Sequence, residues 1–242
     1  MTKELLKTIN LSKTFTNKCV LKKINLSMFE GRNLTIIGKS GEGKSVLLKC
    51  ILGLIEPSGG EVFYNNSLVT TKNKSMLFQD LGVLFQGSAL FDSLTVWENI
   101  SFQYKYRKAF SHKDCKKIAI HKLNLVGLNP SVAEQYPAEL SGGMQKRVAI
   151  ARAIATNPKI LFFDEPTSGL DPVMANVINK LIRKIVSQLG ATAITISHDL
   201  TSIKMIADDI ALLNEGEIIW KGPKENLETT ENLKIKEFIQ PK

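Results

Sequence analysis

Residues 38–45 read GKSGEGKS, a glycine-rich stretch between a predicted strand and a predicted helix. The stretch matches G-x-x-x-x-G-K-[ST], a pattern in which backbone N–H groups surround phosphate oxygens. Its three glycines allow a tight curl, and the start of the following helix adds partial positive charge. We therefore expect Lys44 to bridge the outer phosphates of a nucleotide and Ser45 to hold Mg²⁺. A glycine-rich turn with an unrelated lysine is the alternative, and the flanking strand and helix argue against it.

The composition indicates a globular chain without a membrane-spanning segment. Of its 242 residues, 43% are hydrophobic, which is too large a share for a disordered chain. No apolar run approaches the roughly 18–20 residues of a transmembrane helix, and the N-terminus MTKELLKTIN lacks the apolar segment of a signal peptide. We therefore expect a cytoplasmic protein that acts at a membrane only through a separate membrane partner. The three cysteines form no CxxC pair, so neither a disulfide framework nor a zinc site is expected.

The formal net charge of +9 allows two interpretations. A basic chain can bind nucleic acid or an anionic membrane surface. Lysine is spread evenly along the sequence, however, and no basic stretch is interleaved with aromatic residues that could stack on bases. We treat the charge as compositional and expect no nucleic-acid partner.

Hydrophobic patterns divide the chain into an α/β core and an inserted helical segment. Residues 4–37 favour strands joined by turns, which predicts an antiparallel β subdomain at the N-terminus. Residues 95–157 have mostly helical periodicity, after which strand and helix patterns alternate again. This alternation predicts a mainly parallel sheet that binds ligands at the C-terminal ends of its strands. The predicted core comprises 1–87 and 158–242, and the predicted helical subdomain comprises 88–157.

One long amphipathic helix is predicted late in the chain. Asp171 and Pro172 suit its N-cap and first position, and Gly190 suits its end. Its apolar face is expected to comprise Val173, Val177, Leu181, Ile185 and Leu189.

Four polar side chains follow predicted strands of the core. Asp164 and Glu165 end the buried strand KILFFDEP, and we expect Asp164 to hold Mg²⁺ through its water shell. Strand side chains alternate, so Glu165 is expected to point elsewhere and to act as general base on the attacking water. Gln86 is expected to approach the metal and the water, and His198 to reach the γ-phosphate. Each could be an ordinary polar strand end, but the phosphate-binding loop in the same core favours a catalytic role.

A second anion site is predicted at LSGGMQKR, residues 140–147. Ser141 suits an N-cap, and the N–H groups of Gly142 and Gly143 are expected to face outward from the helix start. An ordinary N-cap does not explain two consecutive glycines, which destabilise a helix start unless something approaches closely. One nucleotide needs only one phosphate cradle, so the second one requires an explanation.

Taken together, these motifs resemble those of an ABC-type ATPase in order and spacing, over nearly the whole chain. The matching elements are GKSGEGKS, Gln86, LSGGMQ, ILFFDE, SGLD (168–171) and His198. The resemblance implies a single ABC ATPase domain with a RecA-like P-loop NTPase core, which hydrolyses ATP with Mg²⁺. It also implies a head-to-tail dimer, in which the P-loop of one copy and the LSGGMQ of the other close on one ATP.

The resemblance assigns a role to each residue. Those expected to bind ATP within one copy are Gly38, Lys39, Ser40, Gly41, Glu42, Gly43, Lys44, Ser45 and Phe15. Those expected to act in trans are Ser141, Gly142, Gly143 and Asp171. The expected catalytic residues are Glu165, His198 and Gln86, and the expected Mg²⁺ ligands are Ser45, Gln86 and Asp164. Phe15 is expected to stack on adenine, with a core or turn phenylalanine as the alternative.

The segment GSALFDSLTVWENI, residues 87–100, is expected to receive a coupling helix from a membrane permease. The expected groove residues are Gly87, Ser88, Ala89, Leu90, Phe91 and Trp97. The run FQGSALFDSLTV also resembles the ATPases of Mla-type phospholipid transporters, which implies a lipid cargo and, as an optional partner, a lipid-binding accessory protein. The chain is therefore expected at the cytoplasmic face of the inner or plasma membrane, held peripherally by the permease.

Three other functions are retained as alternatives. Amino-acid importers have comparable segments, so import of another solute is the main one. A soluble ABC-type ATPase acting on DNA or ribosomes usually brings coiled coils, a second core or zinc cysteines, none of which the sequence contains. A P-loop kinase leaves LSGGMQ unexplained. Some Mla-type ATPases also carry a C-terminal tail that supports the dimer, and the sequence stops soon after IKEFIQPK, so we expect no such support.

Overall fold

The computed structural model describes residues 3–105 and 110–239, which form two compact units. The first unit comprises the described residues up to 79 and from 192 onward, and the second comprises those between 80 and 191. This division differs from the subdomain boundaries predicted after residues 87 and 157, which remain a prediction. No helix in the described parts of the chain is both long and apolar enough to cross a membrane.

Strands and helices alternate along most of the described chain. In chain order the strands are β1 (Glu4–Phe15), β2 (Lys18–Phe29), β3 (Asn33–Ile37), β4 (Gly59–Tyr64), β5 (Ser67–Leu68), β6 (Leu81–Leu84), β7 (Ile160–Asp164), β8 (Thr192–Ile196), β9 (Asp209–Asn214) and β10 (Glu217–Pro223). The α-helices are α1 (Lys44–Ile51), α2 (Lys74–Gln79), α3 (Val96–Lys105), α4 (His112–Leu125), α5 (Gly142–Ala153), α6 (Pro172–Leu189), α7 (Leu200–Ile206) and α8 (Leu233–Ile239). Short 3₁₀ helices lie at Pro130–Glu134, Pro137–Glu139 and Lys224–Leu227.

The first unit contains the predicted antiparallel subdomain. Its strands follow the order β2, β1, β4, β5, and β1 pairs antiparallel with both β2 and β4. Asn65 and Asn66 join β4 to β5 with φ values of 49° and 60°. Two left-handed residues are what a tight two-residue hairpin requires, and asparagine adopts this conformation more readily than most residues.

The first unit also contains parallel strands. β3 lies between β8 and β9 and runs parallel to both, while β10 pairs antiparallel with β9. Every residue of β3 and β8 is buried, as expected for strands covered on both faces. Because β3 and β8 are parallel neighbours, residues 38–45 and His198 follow them at the same edge of the sheet.

The second unit contains β6 and β7 with the helices α3 to α6. β6 and β7 are parallel, with Leu81 opposite Ile160, so the residues that follow the two strands lie at one edge. The end of α5 lies close against β6: a Cβ added to Gly82 would meet the carbonyl oxygen of Ala153 at 2.1 Å. Only glycine at residue 82 allows this approach of helix and strand.

The helix α6 begins and ends where the sequence predicts. Asp171 accepts hydrogen bonds from two backbone N–H groups of the first turn, and Gly190 ends the helix with φ 59°. The predicted apolar face was wrong at Val173, which is 72% exposed, and right at Ile185, which is buried, while its other members are half-buried. Residues spaced strictly four apart drift around a helix of 3.6 residues per turn. The buried face instead comprises Ile178, Asn179, Ile182, Ile185 and Val186.

Candidate functional site

The glycine-rich loop connects β3 to α1 in the first unit. Gly43, with φ 101°, is the N-cap of α1, and the helix begins at Lys44. The buried Lys44 side chain folds back into the loop, where Nζ donates to the carbonyl oxygens of Gly38 at 2.7 Å and Lys39 at 2.8 Å. A Cβ at residue 38 would lie 2.4 Å from the carbonyl oxygen of Leu213, so the loop passes too close to β9 for any other residue.

This geometry can hold an anion. The first N–H groups of a helix have no intrahelical acceptor, so those of α1 are directed toward the loop. The ammonium of Lys44 adds a full charge at the same place. The carboxylate of Glu42 accepts a hydrogen bond from the backbone N–H of Glu215, which attaches the loop to the turn between β9 and β10. The loop is therefore a preformed cationic cradle of the kind that phosphates bind.

Phe15 and His198 also belong to the first unit. Phe15 ends β1 and is 41% exposed, so it is not a core residue, and Nζ of Lys13 lies 4.9 Å from its ring centroid. His198 is exposed and follows β8. The next residue, Asp199, caps α7 by accepting from the N–H groups of Thr201 and Ser202. The cap keeps the chain after β8 in a defined conformation.

In the second unit, the predicted catalytic carboxylates end β7. Asp164 is its last residue and is buried. Glu165 lies outside the strand with φ 48°, so the turn, and not the predicted alternation of strand side chains, sets its direction. Gln86 is exposed two residues after β6, at the edge where Asp164 also lies.

A buried lysine that the sequence did not predict lies near these carboxylates. Lys146 of α5 is almost fully buried, and its Nζ makes no hydrogen bond within the described chain. Burial lowers the pKa of Lys146, and the charges of Glu165 and Asp164 oppose this effect. A lysine between Gln145 and Arg147 resembles a solvated helix position, so the sequence contains no signal for this burial.

The second predicted anion site lies at the start of α5. Ser141 is the N-cap, and its Oγ accepts from the N–H of Met144 at 3.3 Å. Ser141 and Gly142 are exposed. Gly143 is buried, and a Cβ there would lie 2.5 Å from Cε of Met174 on α6. The two glycines therefore serve different purposes. Gly143 allows the close contact with α6, and Gly142 leaves the start of α5 open to a ligand.

The start of α5 lies beside the SGLD segment. A Cβ at Gly142 would lie 3.9 Å from Cδ2 of Leu170, and Asp171 begins α6 immediately afterwards. Oδ1 of Asp171 accepts from the N–H groups of Val173 and Met174 at 2.9 and 3.0 Å. The four residues expected to act in trans thus lie close together in the second unit, and all of them except Gly143 are exposed.

The predicted permease-docking segment is partly buried. Phe91 is 43% exposed and stacks on Phe102, with ring centroids 4.5 Å apart. Trp97 is only 5% exposed and packs edge-on against His112, so its expected place in the groove was wrong. Ser88 is buried as well. Trp97 faces inward because it lies in the first turn of α3, on the side that packs against α4.

A family model for ABC transporters matches residues 21–168, more than half of the chain. The chain belongs to the ABC transporter family. The matched range includes the glycine-rich loop, Gln86, the start of α5 and both carboxylates, whereas Phe15, Asp171 and His198 lie outside it.

Three relatives of this ABC transporter chain come from two kinds of transport system. It is 40% identical to the methionine import ATP-binding protein MetN 1 of Acinetobacter baylyi, over 88% of this chain and 61% of the relative. It is 32% identical to the intermembrane phospholipid transport system ATP-binding protein MlaF of Haemophilus influenzae, over 99% of this chain and 92% of the relative. The MlaF of Escherichia coli K12 is 34% identical, over 95% of this chain and 86% of the relative. The chain spans 61–65% of the length of the methionine-import relatives it matches.

Solved ABC structures confirm the predicted fold class. One is a dimeric ATP-binding cassette in a post-hydrolysis state, bound to ADP and Pi, with a TM-score of 0.81 and 34% identity over 90% of this chain and 98% of that one. Another is cbiO1 from Clostridium perfringens, part of the ABC transporter complex cbiONQ, with a TM-score of 0.84 and 28% identity over 98% and 96%.

Proposed function

We propose that this chain is the ATP-binding and ATP-hydrolysing subunit of an ABC transporter, which powers a separate membrane permease. The observation that carries the proposal is the loop of residues 38–45, where the Lys44 ammonium is folded against the Gly38 and Lys39 carbonyls at the start of α1. The family match over residues 21–168 supports the same conclusion.

The chain's own residues account for a hydrolytic mechanism. The loop and Lys44 bind the phosphates of ATP, and Glu165 accepts a proton from the attacking water while His198 donates a hydrogen bond to the γ-phosphate. Ser45, Gln86 and Asp164 would hold Mg²⁺, and their hydroxyl, amide and carboxylate oxygens are donors that this ion prefers. Bound Mg²⁺ supplies positive charge to the phosphate oxygens. Phe15 offers an exposed ring for stacking on adenine.

The complete site needs a second copy of the chain. Ser141, Gly142, Gly143 and Asp171 act on the nucleotide held by the partner, in a head-to-tail dimer. The exposed start of α5 supports this role, because a helix N-terminus attracts the negative charge of a phosphate. The dimeric relative bound to ADP and Pi supports it independently.

We propose phospholipid as the cargo. The MlaF relatives match this chain over nearly their whole length, whereas the chain spans only part of the methionine-import relatives. In this role the chain lies at the cytoplasmic face of the membrane, the permease docks near 87–100, and a lipid-binding accessory protein is an optional third component. The 40% identity to methionine importers favours the second candidate, amino-acid import.

Purification of the complex from membranes in detergent tests both the transporter function and the proposed cargo. Mass spectrometry of the co-purifying permease, the accessory proteins and any bound lipid identifies the cargo class. A permease with a lipid-binding partner and bound phospholipid is expected. A soluble solute-binding protein in its place would favour the amino-acid alternative, and a complex without a permease or ATP hydrolysis would contradict the transporter function.

A further inference from the structure

Arg152, in the last turn of α5, holds the backbone just after Gln86. Its Nη1 donates to the carbonyl oxygen of Ala89 at 2.7 Å, and its Nη2 donates to that of Ser88 at 2.8 Å. The guanidinium carbon also lies 5.9 Å from the ring centroid of Phe91, within the range of a cation–π contact. The Arg152 side chain on α5 thus contacts three residues of the docking segment: Ser88, Ala89 and Phe91.

The backbone that Arg152 contacts is in an unfavourable conformation. Ser88 and Ala89 have φ values of 69° and 47°, and neither is a glycine. A left-handed conformation costs such residues about 1–2 kcal/mol each, so it persists only where surrounding groups hold it. The planar guanidinium can bond two carbonyls in fixed geometry, which a lysine cannot reproduce. Arg152 therefore supplies part of what keeps this backbone in place.

The docking segment is attached to a second helix as well. Oδ1 of Asn99 on α3 accepts from the N–H of Phe91 at 2.8 Å, and its Nδ2 donates to the carbonyl oxygen of Phe91 at 3.0 Å. Residues 87–91 are thus bound at one end to α5 and at the other to α3. A displacement of this segment has to be shared by the helices that hold it.

The opposite end of α5 carries Ser141, Gly142 and Gly143, three of the four residues proposed to act in trans. Ser141 and Arg152 are eleven residues apart on one continuous helix, roughly 16 Å along its axis. We propose that Arg152 is a positioning residue that couples the docking segment, residues 87–100, to the phosphate-contacting start of α5. Movement of this segment by the permease shifts Ser141, and capture of the partner's nucleotide by Ser141 constrains the segment. The inference rests on the dimer of the proposed function.

Hydrogen–deuterium exchange in the full chain tests this coupling. The parent is Glu165→Gln, which is expected to assemble on ATP without consuming it. In the parent, ATP should slow amide exchange in residues 87–95 at least fivefold. In Glu165→Gln with Arg152→Lys, assembly should persist and the slowing in that segment should fall below twofold. A role limited to stability would change the exchange equally with and without ATP, so the ATP-dependent ratio is the decisive quantity.

Arg147 provides a matched control on the same helix. Its Nη1 donates to the carbonyl oxygen of Gly127 at 3.1 Å, which follows α4 and is not part of the docking segment. Arg147→Lys in the parent should retain the fivefold response.

Three results would overturn the coupling. They are an unchanged response in Arg152→Lys, the same loss in Arg147→Lys, and an assembled parent whose residues 87–95 do not respond to ATP. The last of these needs no Arg152 variant, so it holds even if Arg152→Lys fails to fold. A parent that does not assemble on ATP contradicts the proposed dimer itself and the coupling with it, which separates the two failures.

Discussion

At the scale of single residues, the backbone at Glu165 gives two adjacent carboxylates different surroundings. Asp164 is extended and buried at the end of β7, whereas Glu165 has φ 48° in the following turn. This conformation costs a residue other than glycine about 1–2 kcal/mol, and such strain is concentrated at functional sites. The two side chains can therefore serve the separate roles proposed for them, one toward Mg²⁺ and the other toward water.

Glu165→Gln should bind ATP with unchanged affinity and hydrolyse it at least about 100-fold more slowly, because the amide cannot accept the proton of the attacking water. The uncleaved ATP should hold two copies together, visible as a dimer by size-exclusion chromatography. Turnover within a few-fold of the wild-type rate would contradict the assignment of Glu165 as general base.

Lys44→Ala should weaken ATP binding at least about tenfold and stop hydrolysis, because it removes the buried ammonium from the phosphate loop. Equilibrium titration with a fluorescent ATP analogue measures the affinity. Lys49→Ala, an exposed lysine on the same helix, is the matched control and should bind normally. A mild effect of Lys44→Ala would exclude the phosphate role.

At the scale of elements, α5 has an exposed start that is proposed to bind phosphate and a body that packs in the interior of the second unit. The sequence pattern does not show where one part ends and the other begins. The N-terminus of α5 is exposed at Ser141 and Gly142, while its body is buried on several sides, including the unexpected Lys146. Because Ser141 and Gly142 are exposed while the body of the helix is packed, changes at the start should act on the ligand site more than on the fold.

Ser141→Arg should leave ATP binding intact and abolish hydrolysis, because the bulky cation blocks the helix start that the partner's nucleotide needs. Loss of the cap should also lower the free energy of unfolding by about 1 kcal/mol. Ser131→Arg places the same charge on an exposed serine of the same unit and serves as the control. Equal loss of binding and hydrolysis in Ser141→Arg would contradict a site divided between two copies.

The cap of α7 should make stability depend on pH. Burial acts to raise the pKa of Asp199, but hydrogen bonds from Ser202 and Thr201 outweigh it, and the pKa of the folded state is lowered. The carboxylate therefore stabilises the fold above its unfolded-state pKa, and this contribution is lost as the pH falls through the lowered pKa.

Asp199→Ala should lower the free energy of unfolding by about 1 kcal/mol at pH 7. The difference from wild type should shrink as the pH falls below the ordinary carboxyl range. Urea unfolding of both proteins at several pH values measures it, and a difference independent of pH would contradict the charged cap.

At the scale of the whole molecule, the two helix starts proposed to bind phosphate belong to different compact units of the chain. The loop before α1 lies in the first unit, and the start of α5 lies in the second. In the proposed dimer, each nucleotide is bound by the loop before α1 of one copy and by the start of α5 of the other copy.

Mixing two inactive variants tests this division directly. A Lys44→Ala chain retains the start of α5, and a Ser141→Arg chain retains the phosphate loop. Mixed dimers contain one complete site, so the mixture should exceed the summed rates of the separate variants, up to about a quarter of the wild-type rate with random pairing. A mixture no faster than that sum would contradict complementary sites.

The motifs could be recognised in the sequence because their chemistry is local, and the roles assigned to their residues remain predictions. Glycines that permit left-handed backbone, a lysine and a serine at fixed spacing, and carboxylates after an apolar run can each be recognised in a short window. Features set by tertiary contacts were not predictable: the inward direction of Trp97, the burial of Lys146, and the packing of Gly143 against Met174. Each depends on which segment lies opposite, and a single sequence does not contain that information.

The close approach of Gly82 to Ala153 limits how one end of α5 can move. The carbonyl oxygen of Ala153 occupies the space where any larger residue at 82 would place its Cβ, so this end of the helix cannot move closer to β6. Rotation about it remains possible, and a tilt of about 10° would carry the far end roughly 3 Å over a helix about 18 Å long. A larger residue at 82 would push this end of α5 away from β6 and so redirect the opposite end of the helix, where Ser141 lies.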